Sequence, residues 1–151
     1  VKPLRLGVAD AGEVLTLQRA AYVTEARAHD DFDLPPLLET LAEARTALAS
    51  VLSWGIRENG RLLASVRLTV TGNVGVVTRL VVAPDRQGAG LGGGLLRAME
   101  DAAPPEVTVF RLFTGSKSVG PLGLYTKHGY RETHRTPENN HELVHLEKPR
   151  E

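Results

Sequence analysis

Apolar positions alternate with polar ones at the head of the chain and then settle into a longer period. LRLGV, Leu4 to Val8, reads as a short strand. Asp10, with Glu13 three residues on, is placed to cap a helix in AGEVLTLQRAAYVTEARA, where Val14, Leu17, Ala21 and Ala28 suit one face. HDDFDLPP breaks the period, and Thr40 with Glu43 resembles a capping box that opens a second helix. From Val51 the period shortens: VLSWGIRE, RLLASVRLTV and VGVVTRLVVA are separated by Asn59-Gly60 and Gly72-Asn73. Asn and Gly tolerate the positive φ of a two-residue turn, so three antiparallel strands are predicted.

Pro84 ends the third of these strands, and a glycine-rich stretch leads into a helix from Leu91 to Ala103, stopped by Pro104-Pro105. VTVFRLF (Val107 to Phe113) is the next strand, TGSKSVGP a loop, and LGLYTKHG a short helix closed by Gly129. YRETHR and HELVHLE complete the pattern as two strands. The predicted order is β-α-α-β-β-β-α-β-α-β-β, a mixed α/β (α+β) arrangement. With neither an internal repeat nor a linker, residues 1–151 read as one domain.

DRQGAGLGGG, at the junction of the third hairpin strand and its following helix, holds Gly88, Gly90, Gly92, Gly93 and Gly94. Each glycine costs regular structure about 0.5–1 kcal/mol relative to alanine, so their concentration needs a return. A strand, a glycine turn and a helix N-terminus present free backbone N–H groups with the helix dipole behind them, which suits phosphate. Bare Gly88, Gly90, Gly92 and Gly93 would let an anion approach that backbone closely. A Walker loop is excluded, because Gly94-Leu95 stands where Lys-Ser or Lys-Thr is needed. Gly88, Gly90 and Gly93 meet the dinucleotide pattern G-x-G-x-x-G literally. However, PDRQ separates them from their strand, and the next strand ends in Phe113-Thr114 rather than an acidic residue.

Composition narrows the partners. Eighteen basic side chains balance eighteen acidic ones, so no net field draws the chain to nucleic acid or an anionic membrane. The absence of cysteine excludes disulfides, thiolate metal sites and a cysteine-bound acyl intermediate. VKPLRLGVADAGE lacks the apolar block of a signal peptide and no stretch is long enough to span a bilayer, so a cytoplasmic location is expected.

Gln87-Gly88-Ala89-Gly90-Leu91-Gly92, after LVVAPDR, resembles the acyl-CoA signature [RQ]-x-x-G-x-[GA] of the GNAT superfamily of N-acetyltransferases. LYTKHGY, Leu124 to Tyr130, is similar to the family's L-Y-x-[KR]-x-G-[FY] segment, and the predicted element order is the family's order. The resemblance implies the GNAT fold, a central, mostly antiparallel twisted sheet flanked by helices. It further implies that the strands on either side of the glycine loop and its helix splay apart to admit the pantetheine arm of acetyl-CoA. Carried over, Leu80, Val81 and Val82 would bind the arm through their backbone, and Gln87, Gly88, Ala89, Gly90, Leu91, Gly92 and Gly93 would hold the pyrophosphate.

The implied reaction is direct transfer of acetyl from acetyl-CoA to a primary amine of a small molecule or peptide. By the same match Tyr125 is the general acid that protonates the thiolate, and an amide near Val82 polarises the carbonyl. Ser118 stands where many members have an asparagine on the pantetheine, and Val76 where the histone-acetylating branch has a glutamate base. Glu25, Asp30, Asp31 and Asp33 are candidates to attract a cationic amine, and Tyr22, Trp54 and Arg79 to line the acceptor cavity. A catalytically silent acyl-CoA-binding or regulatory module is the alternative from another class, with a dinucleotide-binding protein behind it. Members of the family commonly dimerise, so a homodimer stands beside the monomer as an expectation.

HELVH, His141 to His145, matches the zinc-protease pattern H-E-x-x-H. That motif needs a helix, where both histidines share one metal. Strand residues four apart lie roughly 13 Å from each other, too far to chelate one ion. No metal is therefore expected. Ser116 and Ser118 read S-x-S-x-G, which falls short of the G-x-S-x-G of an acyl hydrolase.

Overall fold

The computed structural model describes residues 2–151. Seven strands form one sheet: β1 (Leu4–Arg5), β2 (Leu52–Glu58), β3 (Arg61–Thr71), β4 (Val74–Val82), β5 (Val109–Gly115), β6 (Arg131–Glu138) and β7 (His141–Pro149). Their order is β1-β2-β3-β4-β5-β7-β6, antiparallel throughout except for the β4–β5 pair. The helices are α1 (Ala11–His29), the single turn α2 (Pro35–Leu38), α3 (Leu41–Ser50), α4 (Leu91–Ala102) and α5 (Val119–Lys127). None of the described helices is long and apolar enough to cross a membrane.

Local chemistry explains most boundaries. Asn59 (φ 51°) and Gly60 (φ 80°) turn β2 into β3, as their sequence predicts. Thr40 Oγ1 accepts the Glu43 N–H at 3.1 Å while Glu43 Oε1 accepts the Thr40 N–H at 2.9 Å, so the expected capping box opens α3. Three details differ from expectation. Asp10 occupies the N-cap of α1 without capping it, because its carboxylate instead accepts the Gly7 N–H at 2.8 Å and the Arg57 guanidinium at 2.8 Å. Ala28 is exposed and Ala26 is buried in its stead. Finally, α5 begins at Val119, three residues before the apolar period of LGLY becomes visible.

The sheet separates two cores. On one face Leu95, Leu96 and Met99 of α4 are fully buried against Val66, Leu68, Phe110 and Leu146. Each such side chain contributes about 1.5–3 kcal/mol by leaving water. On the other face Val14, Leu17 and Ala21 of α1 and Leu48 of α3 pack on Leu6, Leu62 and Val81. Trp54, a candidate for the acceptor cavity, belongs to the first core and carries Arg5 over its ring at 5.3 Å.

Candidate active site

The only parallel pair is short. β4 and β5 are in register at Val74–Val109, Gly75–Phe110 and Val76–Arg111, after which each strand continues without the other. β5 runs on to Gly115 hydrogen-bonded to β7, while β4 follows β3 to Val82. Nothing in the ladder holds them together past Val76 and Arg111, so a wedge-shaped gap opens toward their C-terminal ends. A bulge in β4, where the β3 register slips between Ser65 and Arg67, widens the divergence by adding local twist. Its residue Arg79 has φ 54°, a left-handed conformation that costs a non-glycine residue about 1–3 kcal/mol and clusters at functional sites.

Alternation assigns the backbone groups that line the gap. Ala83 N–H bonds Leu63 O at 2.8 Å, so Val81, two residues back, shares the β3 ladder and Val82 turns its N–H and C=O toward the gap. The Gln87 amide reaches Val82 O from that side at 3.3 Å. Of the three residues expected to meet a pantetheine arm, Val82 thus turns its main-chain edge to the gap with its C=O taken by the Gln87 side chain, Leu80 lies in the bulge beside it, and Val81 sends its side chain into the α1 core.

The glycine loop follows directly. Gly88 (φ 80°) and Gly90 (φ 82°) are left-handed and open above, with nothing within 4 Å of where a Cβ would stand. Gly94 N–H makes the first helical bond, to Gly90 O at 3.1 Å. Among the described residues, no backbone N–H from Gln87 to Gly93 donates to the protein. A row of free donors therefore ends at the N-terminus of α4, the arrangement that binds a phosphate anion. Gly92 and Gly93 have a packing reason to be bare besides the expected one. A Cβ on Gly93 would stand 2.5 Å from His128 Nε2, and one on Gly92 3.3 Å from Leu124, so their lack of a side chain seats α5 against α4. Their N–H groups still belong to the row.

Across the gap, α5 supplies Tyr125. Its ring is buried edge-on to Tyr130 at 5.9 Å, and its hydroxyl has no hydrogen-bond partner among the described residues. Burial pushes that phenol above its ordinary range, with Tyr22 and Glu25 adding to the shift, so it stays protonated and able to donate. Ser118, at the N-cap of α5, is buried with an unpartnered Oγ. A pantetheine amide would satisfy that hydroxyl, and an anion would satisfy the free N–H row, so the residues present fit coenzyme A.

The opposite wall carries a polar cluster that sequence reasoning did not find. Glu39 accepts a bidentate pair from Arg67 at 2.9 and 2.8 Å, a bond from Gln18 Nε2 at 3.2 Å, and lies 3.6 Å from Arg79. Arg67 holds the Glu39 carboxyl below the usual carboxylate range. Burial raises Tyr22 beside them to about 12. Glu39, Leu38 and Arg79 line a cavity of about 230 Å³. Behind it, His29 Nδ1 donates to Glu25 O at 2.8 Å and its Nε2 accepts the Lys117 N–H at 3.0 Å, clasping α1 to the loop after β5.

The HELVH segment lies on β7. His141 packs tilted against His29 and His145 stacks on His134, each pair at 4.3 Å, so the two histidines serve different neighbours.

Splayed strands, a free N–H row at a helix N-terminus and a buried tyrosine on the helix after β5 make up the candidate site of an acyl-CoA-dependent transferase fold. A family model described as Acetyltransferase (GNAT) domain matches residues 50–132, and the chain belongs to that family. It is therefore an acyltransferase by family. The solved ribosomal-protein-S18-alanine N-acetyltransferase of Escherichia coli superposes with a TM-score of 0.79 at 17% identity, over 99% of this chain and 93% of that one. An acetyltransferase of the GNAT family from Streptococcus pneumoniae gives 0.76 at 16% identity over 98% of each chain. The PaiA N-acetyltransferase of Thermoplasma acidophilum, solved in complex with coenzyme A, gives 0.69 at 16% over 98% of each. At these identities the likeness is one of fold. No curated protein matches the sequence.

Proposed function

We propose that the protein transfers acetyl from acetyl-CoA directly to a primary amine, with Tyr125 as general acid. The observation that carries this reading is the conjunction of the β4–β5 gap with the unpaired N–H row from Gln87 to Gly93. The row would hold the pyrophosphate, Val82 and Leu80 would pair with the pantetheine as an added strand, and Ser118 Oγ would take one of its amides. An amide of the bulged segment near Val82 would stabilise the oxyanion of the tetrahedral intermediate.

The attacking nitrogen must be neutral. A lysine-like ammonium near 10.4 is almost wholly protonated at neutral pH, so proton removal is part of the work, whereas a thiolate near 8.5 leaves with modest help. Tyr125 gives that help by donating its hydroxyl proton to sulfur. A dinucleotide ligand is disfavoured, because the loop is separated from β4 by the 3-10 turn Pro84–Arg86 and β5 ends at Gly115 without an acidic residue.

The reading is tested by thiol release from acetyl-CoA across a panel of primary amines, aminoglycosides, polyamines and peptide N-termini. Amine-dependent release is expected for at least one acceptor. Tight coenzyme A binding with no release across the panel would favour a silent binding module instead.

A further inference from the structure

Four acidic side chains lie in or beside the connection after α1, and three have evident structural duties or solvent around them. Asp30 is the left-handed residue that ends α1. Asp31 accepts from Asn139 Nδ2 and from the Asp33 N–H, both at 3.0 Å, and Asp33 is exposed. Glu25 differs. It is half-buried, it has no ion pair, and it receives a hydrogen bond from its own backbone N–H alone among the described residues.

Its position on the fold gives that free carboxylate a direction. Gln18, Tyr22, Glu25 and His29 follow one another at helical spacings of three and four, so they form one stripe of α1. The stripe is tied to the mouth of the gap along its length. Gln18 bonds Glu39 and Pro36 O, Tyr22 adjoins Arg79 of the β4 bulge, and His29 bonds the Lys117 N–H while packing on Gly115 at the end of β5. Glu25 lies between Tyr22 and His29 on this stripe, and so between the contact at Arg79 and the contact at Gly115. It lies near enough to Tyr125 to add to the effect by which burial raises that phenol.

We propose that Glu25 is the general base of the transfer, taking the proton of the attacking amine nitrogen; this rests on the acetyltransferase reading above. The nitrogen lone pair forms the C–N bond to the thioester carbonyl while an N–H proton passes to a Glu25 carboxylate oxygen. The oxyanion then collapses, the C–S bond breaks, and the thiolate takes the Tyr125 hydroxyl proton. Through solvent, the proton on Glu25 returns to the Tyr125 oxygen, so products are one amide and one thiol. The acceptor is thereby a primary amine reached from the α1 side; one that arrives as an ammonium releases a proton to solvent before its nitrogen attacks.

Groups facing Glu25 are Tyr22 and His29 of its own helix, Tyr125 of α5, Arg79 of β4 beyond Tyr22, and Lys117 and His141 beyond His29. None makes an ion pair with it. Burial raises the Glu25 carboxyl above the usual range, which brings its proton affinity closer to that of the nitrogen it must serve.

The experiment compares pH profiles of kcat/KM for wild type, Glu25→Gln and Glu25→Asp, with coenzyme A binding measured calorimetrically on each. In wild type, both the amine and Glu25 must lose a proton at low pH. Log kcat/KM therefore rises with a slope of about two there and about one above the Glu25 titration. Glu25→Gln is expected to lower kcat/KM by about 10²–10⁴-fold and to keep a slope of about one throughout. Glu25→Asp retains the two-slope profile with part of the rate, and both variants bind coenzyme A with wild-type heat. A Glu25→Gln enzyme within about threefold of wild type, or one that keeps the steep acid limb, overturns the proposal alone. Absence of coenzyme A heat from the wild-type protein overturns the acetyltransferase reading as well.

Discussion

Tyr125 and Tyr130 stand on one short segment, and their hydroxyls are used in opposite ways. Tyr130 OH donates to Glu100 Oε2 at 2.7 Å, and Lys148 Nζ completes that carboxylate at 2.8 Å. Tyr130→Phe should therefore cost about 1–3 kcal/mol of stability, measured by denaturant unfolding, because a buried carboxylate loses a donor. Tyr125 OH bonds nothing among the described residues. Tyr125→Phe should leave the unfolding midpoint unchanged and lower turnover by about 10²–10⁴-fold. Unchanged turnover would remove Tyr125 from the chemistry. The aromatic pattern LYTKHGY marks both residues equally, and only the partner of each hydroxyl tells the proposed acid from the anchor.

Among the elements, the contacts that shape the gap join segments far apart in sequence. Gly115 ends β5 against His29, whose ring is buried and fixed by hydrogen bonds at both nitrogens, and a Cβ there would overlap the ring. Gly115→Ala should destabilise the fold by about 1–3 kcal/mol, read as a lower urea midpoint. Glu39 is the second junction. Its removal as Glu39→Ala leaves Arg67 buried without a counter-charge, at a cost of about 3–5 kcal/mol in the same assay. Because the folded Glu39 carboxyl lies below its unfolded value, its contribution is complete above the unfolded carboxyl range. The contribution disappears as pH falls through the depressed folded value, so the wild-type advantage over Glu39→Gln should shrink on acidification.

Hairpins, the α3 capping box and the glycine loop were legible in the sequence because each is written within a few adjacent residues. Arg79 was named as an acceptor-wall candidate, but its bulge was hidden, since no glycine marks the left-handed position. The widening of the gap was equally invisible to local pattern, because it depends on β5 keeping β7 as its partner beyond Arg111. The packing role of Gly93 was hidden for the same reason, as its neighbour His128 lies a whole strand and helix away.

For the whole molecule, the two cores hold a rigid sheet on which the gap is a built-in defect in hydrogen bonding. A ligand that completes the unpaired edge of β4 and the N–H row binds the folded state alone. At a hundredfold excess over Kd it should add about 2.7 kcal/mol of stability. For a chain of this size that corresponds to a rise in Tm of roughly 5–10 °C, observable by thermal shift. The most direct measurement is calorimetric titration of the wild-type protein with acetyl-CoA. A saturable heat at one ligand per chain, matched by coenzyme A and absent with NAD, is the predicted result; no heat at saturating acetyl-CoA would contradict the account.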